Sequence, residues 1–490
     1  MLPIDVDSSI PVQLERRARD RADHLAFAFQ KDSLTYGQLL EDAERIARQL
    51  LGEGVGAGDR VALHLPAGLD LVRLFYALQR IRAIPCIFDP HVPAATTAAR
   101  IARIRPRKVL NELPRGGATS TLPKFVERPE GIAFLQLTSG TSGEPLAAMI
   151  TQENLNASLL SSRELIDPSA DDILAGWVPP WHDLGLLRFV LAPVFFGVPC
   201  HLIPPAVKTI PEWFETISRV KGTITGAPDF AWRLAMRLVD PATVDLRSLR
   251  FATNGGEPVR SSTIAAFEAR FATPGVLRPG YGLAEATLGV AAVRDGEALR
   301  VDERGNVSCG KPMKHVEVRI DDGEILVKSP AVFAGYFDAA SATEQALRGG
   351  WLHTGDVGSL DGDGNLYVLG RRRAMIKRGG AMLAPREIEE AVQLLPNVRV
   401  AAAVGVASEL TEKIVVVVEV KEDVPSMEKL VAATVERTIG IAPDEVVVQK
   451  RGSIPRTSNG KIRHAVLRDQ LAARSVRNRP SVVSDGDDKR

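Results

Sequence analysis

Cysteine is scarce in this 490-residue chain: only Cys86, Cys200 and Cys309 occur, scattered and in no metal-ligand spacing. A chain of this length needs no disulfide framework, and so few thiols suit a reducing, cytoplasmic setting. Charge of one sign is missing too. Sixty-one basic residues face 60 acidic ones, a net charge of +1. That balance gives no global pull toward nucleic acid or an anionic membrane, and the Arg371-Arg372-Arg373 cluster is too short to make a basic face. Long apolar runs are also absent. The most apolar window, FVLAPVFFGVPCHLIPP at 189–205, carries four prolines and is shorter than the ~20 residues a spanning helix needs. It is expected to form buried strands and a helix. The opening MLPIDVDSSI lacks the cationic-then-apolar layout of a secretory signal.

What is present is an alternation. Helix-periodic TYGQLLEDAERIARQLLGEG (35–54) precedes the β-branched RVALHL (60–65), and DLVRLFYALQRIRA precedes IPCIFD in the same order. Gly52 and Gly54 provide the helix stop. The order argues for an α/β fold with mainly parallel strands. From residue 308 the pattern becomes short strands with Asp-Gly turns at 322–323, 361–362 and 363–364, the hairpin signal. Beyond Gly370 a helix at 385–394, strands VRVAAAVGVA and KIVVVVEV, a helix at 427–439 and EVVVQK form a small α+β domain. The expectation is therefore a large N-terminal domain (1–370) of mixed and parallel sheets with a β-rich subdomain, then a domain at 371–472. The polar stretch 473–490 reads as a disordered tail.

Within LQLTSGTSGEPLAAMIT (135–151) an apolar run stops at Thr138 and gives way to Ser139, Gly140, Thr141, Ser142 and Gly143. Backbone N–H groups, close approach at glycine and hydroxyl donors suit a polyphosphate. Loops of this composition also serve simply as connections. It is not a Walker A loop, because Glu144 follows the last glycine where that motif needs Lys.

Further motifs follow in order: WVPPWHDLGLL (177–187), NGGEPV (254–259), PGYGLAEAT (279–287), HTGDVG (353–358), GRRRAMIKRGG (370–380) and IPRTSNGKIR (454–463). The set, spanning about 30 to 470, resembles the adenylate-forming superfamily, which includes acyl-CoA synthetases, peptide adenylation domains, firefly luciferase and fatty acyl-AMP ligases. The resemblance implies ATP and Mg²⁺, and joining of a carboxylate to the α-phosphate of ATP. In-line attack of one anion on another needs positioning and cations more than acid–base chemistry. It makes Lys461 the catalytic cation, carried by a small C-terminal domain that rotates about a hinge at Arg373. Glu285 becomes the Mg²⁺ carboxylate, with Thr138 beside it. Tyr281 and Gly282 would lie against adenine, as would the turn Asn254, Gly255, Gly256, Glu257 and Pro258. Asp356 and Arg371 would meet the ribose and phosphates. His182 would stand at the mouth of the acyl pocket, with Trp181 as a wall or core residue.

Two departures stand out. Leu146 takes the place of the usual phosphate-loop lysine, which removes one cation from the β/γ-phosphates and is expected to weaken ATP binding or slow pyrophosphate release. Arg373 replaces the usual hinge residue, which is tolerable because a hinge only absorbs backbone rotation. The acceptor is read two ways. HDLGL, NGGEPV, GYGLAEAT and VSCG look like fatty acyl-AMP ligases, which load an acyl carrier protein through its phosphopantetheine. WLHTGD and IKRGGAMLAPREIEE look like acyl-CoA synthetases, with Gly379 and Gly380 letting the thiol of CoA approach. The reading preferred is carrier-protein loading of an apolar acid, by a monomer or homodimer. A degenerate, non-catalytic scaffold remains the contrasting reading, opposed by the presence of Lys461, Glu285 and Asp356.

Overall fold

Thr35 and Thr151 each close a capping box. Their hydroxyls accept the N–H of Gln38 and Asn154, whose side chains reach back to the cap N–H, and helices Tyr36–Gly52 and Gln152–Ile166 start there. The computed structural model describes residues 8–116, 120–126, 130–138, 146–378, 381–408, 412–422, 425–456 and 462–477. The chain divides into two compact units, the smaller of which begins its continuous run at Leu369.

The larger unit contains a nine-stranded sheet. Its parallel centre runs Leu25–Phe29, Cys200–Leu202, Leu174–Gly176, Ile224–Ala227, Phe251–Gly255 and Leu277–Leu283. Antiparallel strands Asp32–Thr35, Leu288–Ala292 and Lys311–Pro312 finish its two edges. A five-stranded sheet is ordered Lys108–Leu110, Arg60–Leu63, Ile84–Ile87, Ile132–Leu137, Ala147–Thr151, and only its last pairing is antiparallel. The Asp-Gly expectation is met at 322–323, where Asp322 (φ 46°) and Gly323 (φ 71°) join strands Glu317–Asp321 and Glu324–Lys328.

The apolar window holds the expected strand and helix, together with one feature that periodicity did not indicate. Gly185–Leu191 is wound as a π-helix, continued by the helix Ala192–Phe196 and the strand Cys200–Leu202. π-Helical turns are rare and concentrate at functional sites.

In the smaller unit the strands Val398–Ala407, Glu412–Val420 and Glu445–Gln449 form one sheet. Alternate residues bury both faces. Ala401, Ala403, Ile414, Val416 and Val418 pack on helices Pro385–Gln393 and Met427–Ile439. Val400, Ala402, Val404, Val415 and Val417 pack on Leu467 and Leu471 of the helix His464–Arg477. That helix corrects the expected start of the tail at 473: with Leu467 and Leu471 anchored, it propagates through Ala472 to Arg477.

Candidate functional site

The hydroxyl-glycine loop connects an antiparallel hairpin. Leu137 pairs with Ala147, and beyond them Thr138 N–H donates to Leu146 O (2.9 Å) while Leu146 N–H donates to Thr138 Oγ1 (3.1 Å). Leu146 thus closes the hairpin through its backbone. Ser139, Gly140, Thr141, Ser142 and Gly143 lie outside the described residues, as do Gly379, Gly380 and Lys461.

A second segment lies along this hairpin. Phe337 N–H donates to Ala147 O, Met149 N–H to Gly335 O, and Ala334 N–H to Met149 O. The same segment holds Glu285 from two sides: Phe333 N–H donates to its carbonyl (2.9 Å), and Tyr336 Oη donates to its carboxylate Oε1 (2.7 Å). Glu285 sits on the short turn Ala284–Ala286, which is pinned by Thr287 donating to Ala331 O. Its neighbour Gly282 has no room for a side chain, because a Cβ there would stand 1.6 Å from Leu288 O. Glu285 is therefore fixed beside the hairpin by Tyr336, a residue that no spaced motif marks.

Tyr281 and Asp356, 75 positions apart, meet directly: the tyrosine hydroxyl donates to Asp356 Oδ2 at 2.6 Å. Asp356 is buried within strand Trp351–Leu360. Its own N–H donates to Thr354 Oγ1 at 3.1 Å. A charge-assisted bond of that length restrains both side chains.

The NGGEP turn proves to be clamped to the helix Asp229–Leu238. Glu257 Oε1 accepts the N–H of Phe230 (2.5 Å) in that helix's first turn. Asp229 is 1% exposed and accepts from Asn254 Nδ2 (3.1 Å), Arg260 N–H (3.3 Å), Thr263 Oγ1 (3.2 Å) and Arg233 Nε (3.0 Å). Because a carboxylate only accepts, Nδ2 must face Asp229, leaving Asn254 Oδ1 buried without a donor among the described residues. Gly255 ends the strand and Gly256 turns at φ +79°, with Pro258 exposed after it.

The WHDLG segment is tied to the hairpin. Gln136, buried on strand Ile132–Leu137, donates from Nε2 to Trp181 O at 3.0 Å. His182 is half-buried, its N–H donates to Pro179 O, and its carbonyl accepts Leu186 N–H. Trp181 is half-buried, with its ring 5.8 Å from that of His91. One end of the larger unit thus gathers Thr138, Glu285 and Trp181–His182, and separate contacts fix Tyr281 with Asp356 and Asn254 with Glu257.

In the smaller unit, Arg371 and Arg373 are exposed, and the N–H groups of Ala374 and Met375 both donate to Arg371 O. Arg468 Nη1 donates to Arg373 O at 3.3 Å. Arg456 and Ile462 form an antiparallel bridge on either side of 457–461. Among the described residues no three His, Cys, Asp or Glu side chains gather to bind a metal. No helix among them is long and apolar enough to cross a membrane.

The family described as AMP-binding enzyme matches residues 14–122 and 115–337. The medium-chain-fatty-acid–[acyl-carrier-protein] ligase JamA of Moorena producens is 29% identical over 89% of this chain and 89% of its own. The long-chain-fatty-acid–AMP ligase FadD26 of Mycobacterium tuberculosis is 28% identical over 94% of this chain and 96% of its own. Among solved structures, one from a study of fatty acyl-adenylate ligases of E. coli and L. pneumophila superposes with a TM-score of 0.84 at 26% identity, covering 97% of this chain and all of that one. O-succinylbenzoate coenzyme A synthetase of Bacillus subtilis, in complex with ATP and magnesium ion, has the same fold (TM-score 0.83, 22% identity, covering 93% and 99%). The chain belongs to the AMP-binding enzyme family, within the adenylate-forming superfamily and close to its fatty acyl-AMP ligases.

Proposed function

We propose that this enzyme activates a largely apolar carboxylic acid with ATP and passes the acyl group to the phosphopantetheine thiol of an acyl carrier protein. In the first half-reaction a carboxylate oxygen attacks the α-phosphorus, the bond from that phosphorus to the bridging oxygen breaks, and pyrophosphate leaves. In the second, the thiolate attacks the acyl carbon and AMP leaves. The observation that carries the reading is the Tyr281–Asp356 bond, which joins two separate motifs at 2.6 Å. An aromatic ring held by a buried carboxylate suits a nucleoside, with the ring against the base and the carboxylate toward the ribose hydroxyls. Asn254 Oδ1, buried and without a donor among the described residues, suits the exocyclic amine of adenine.

The residues present also fit Mg²⁺. Glu285 keeps one carboxylate oxygen beyond the Tyr336 bond, and Thr138 Oγ1 keeps a lone pair beyond the Leu146 bond. A hard cation held by one carboxylate and by substrate phosphates needs no larger protein cage. When bound, Mg²⁺ offsets phosphate charge. The hydroxyls and N–H groups of 138–143 orient the phosphates, His182 positions the acid, and Lys461 offsets the negative charge where the two anions join.

The carrier protein is preferred as acceptor because the relatives include a ligase named for one. CoA is the second reading, favoured by IKRGGAMLAPREIEE and by the similarity to a protein named as a putative fatty-acid–CoA ligase. The test is pyrophosphate release with a panel of carboxylic acids, alone, with CoA, and with a phosphopantetheinylated carrier protein. Turnover that falls about a hundred- to thousandfold in Lys461→Ala supports the chemistry. Thioester found only with the carrier protein supports the acceptor. No turnover with any acid abandons the reading.

A further inference from the structure

The face of the nine-stranded sheet that meets the π-helix carries several glycines. Parallel register places Ile224, Gly226, Phe251, Thr253, Gly255, Arg278 and Gly280 on that face. Gly176 belongs to it as well, since a Cβ there would press into Phe189 of the π-helix at 2.5 Å. Thr253 is half-buried although its strand has a neighbour on either side, so this face opens on a cleft. From the C-terminal ends of the strands, beside the NGGEP turn, the face continues to the buried Phe251, roughly 13 Å down the strand.

Arg188 lies at the deep end. It is 4% exposed, its guanidinium carbon stands 6.0 Å from the Phe251 ring centre, and neither Nε nor Nη1 has a hydrogen-bond partner among the described residues. Burial lowers its proton affinity only to a pKa of about 10, so it remains a cation at neutral pH. Thr253 Oγ1, higher on the same face, is likewise buried and unpaired among the described residues. An uncompensated buried guanidinium is expensive, and the ordinary remedy is an anion presenting two oxygens. His182 precedes Arg188 by six residues, just ahead of the π-helix Gly185–Leu191 that carries the arginine.

We infer that the acid this enzyme activates carries a second carboxylate at its far end, seated on Arg188. The inference rests on the proposed adenylation and names its substrate class: an α,ω-dicarboxylic acid of medium length. One carboxylate reaches the nucleotide near His182, the methylene chain lies over Gly226 and Gly255, and the distal carboxylate accepts from Nε and Nη1 of Arg188.

The experiment compares suberic, azelaic and sebacic acids with octanoic, nonanoic and decanoic acids in pyrophosphate release, using wild type, Arg188→Met and Arg188→Lys. The expected result is at least a tenfold preference of wild type for the diacid over the monoacid of equal length, expressed in KM. Arg188→Met should invert that preference, and Arg188→Lys should retain part of it. A thermal midpoint of Arg188→Met at or above that of wild type shows that the inversion is not a folding defect. Equal or better use of the monoacids by wild type, or a diacid-to-monoacid ratio unchanged in Arg188→Met, overturns the inference while leaving adenylation in place. Should no acid be adenylated, calorimetry decides the subsite separately. Sebacate binding that Arg188→Met abolishes sustains it, and absence of binding to wild type sinks it.

Discussion

The rim where the motifs gather and the cleft beneath the π-helix treat polar atoms in opposite ways. On the rim nearly every functional side chain already has a protein partner: Tyr281 on Asp356, Glu285 on Tyr336, Asn254 on Asp229, and Glu257 on the helix start at Phe230. In the cleft, Arg188 and Thr253 have none among the described residues, whereas of the rim side chains just named only Asn254 keeps an unpartnered buried atom, its Oδ1. Partnered groups are preorganised and lose little freedom when a ligand arrives. Unpartnered buried groups burden the folded protein until the ligand supplies what they lack. A rim built for one nucleotide can be completed in advance, whereas a cleft that selects among acids leaves part of its polar complement to the substrate.

The largest test of that contrast is Asp229→Ala. It strips the acceptor from Asn254, Arg260, Thr263 and Arg233, and should cost about 3–5 kcal/mol of stability in a denaturant titration. Arg188→Met, which also removes a buried charge, should do the reverse or nothing. If both substitutions destabilise alike, the cleft is as fully partnered as the rim and the contrast fails.

Asp356→Asn comes next. The amide holds Tyr281 less well and offers a weaker acceptor to ribose, so the KM for ATP should rise roughly ten- to hundredfold, the equivalent of about 1.5–3 kcal/mol. The KM for the acid should hardly move. Equal changes in both constants would show that rim and cleft are one coupled site.

Tyr336→Phe is milder. It removes the hydroxyl that tethers the Glu285 carboxylate, and the Mg²⁺ concentration for half-maximal turnover should rise about tenfold. A change in acid preference instead would place Tyr336 on the cleft side.

Much of this architecture could be read in the sequence where the signal is local. The Asp322-Gly323 turn, the helix stop at Gly52 and the alternation that buries both faces of Val398–Ala407 all follow from neighbours a few residues apart. The resemblance of the motifs to the adenylate-forming superfamily likewise pointed to Tyr281, Glu285 and Asp356. Hidden from it were partners brought in by tertiary structure. Asp229 meets Asn254 from 25 positions away and Tyr336 meets Glu285 from 51, with no pattern linking them. The π-helix was illegible because GLLRFVL has the apolar spacing of any buried helix, and its lone arginine reads as a surface charge just outside the apolar window. Leu146 was legible as a departure, but only its bonds to Thr138 show that it closes the hairpin.

The smallest effect belongs to the smaller unit, and it extends the contrast to a titrating pair. His464 Nε2 lies 2.7 Å from Glu389 Oε1, which also accepts the N–H of Ala403 at 3.0 Å. Burial opposes a charge on His464, but the hydrogen bond and charge of Glu389, with the backbone of Ile462, outweigh it and raise its pKa above the ordinary 6.5. Folded His464 thus holds its proton to higher pH than the unfolded chain does. The pair contributes fully below about pH 6.5 and fades as pH climbs through the raised folded value. His464 follows Ile462, which bridges to Arg456. Amide hydrogen exchange around 454–468, corrected for intrinsic rates, should therefore show protection falling on the alkaline side of that window in wild type. In His464→Gln the slope should vanish. A slope that survives the substitution would mean that another group titrates there, and that the Arg456–Ile462 bridge is held independently of His464.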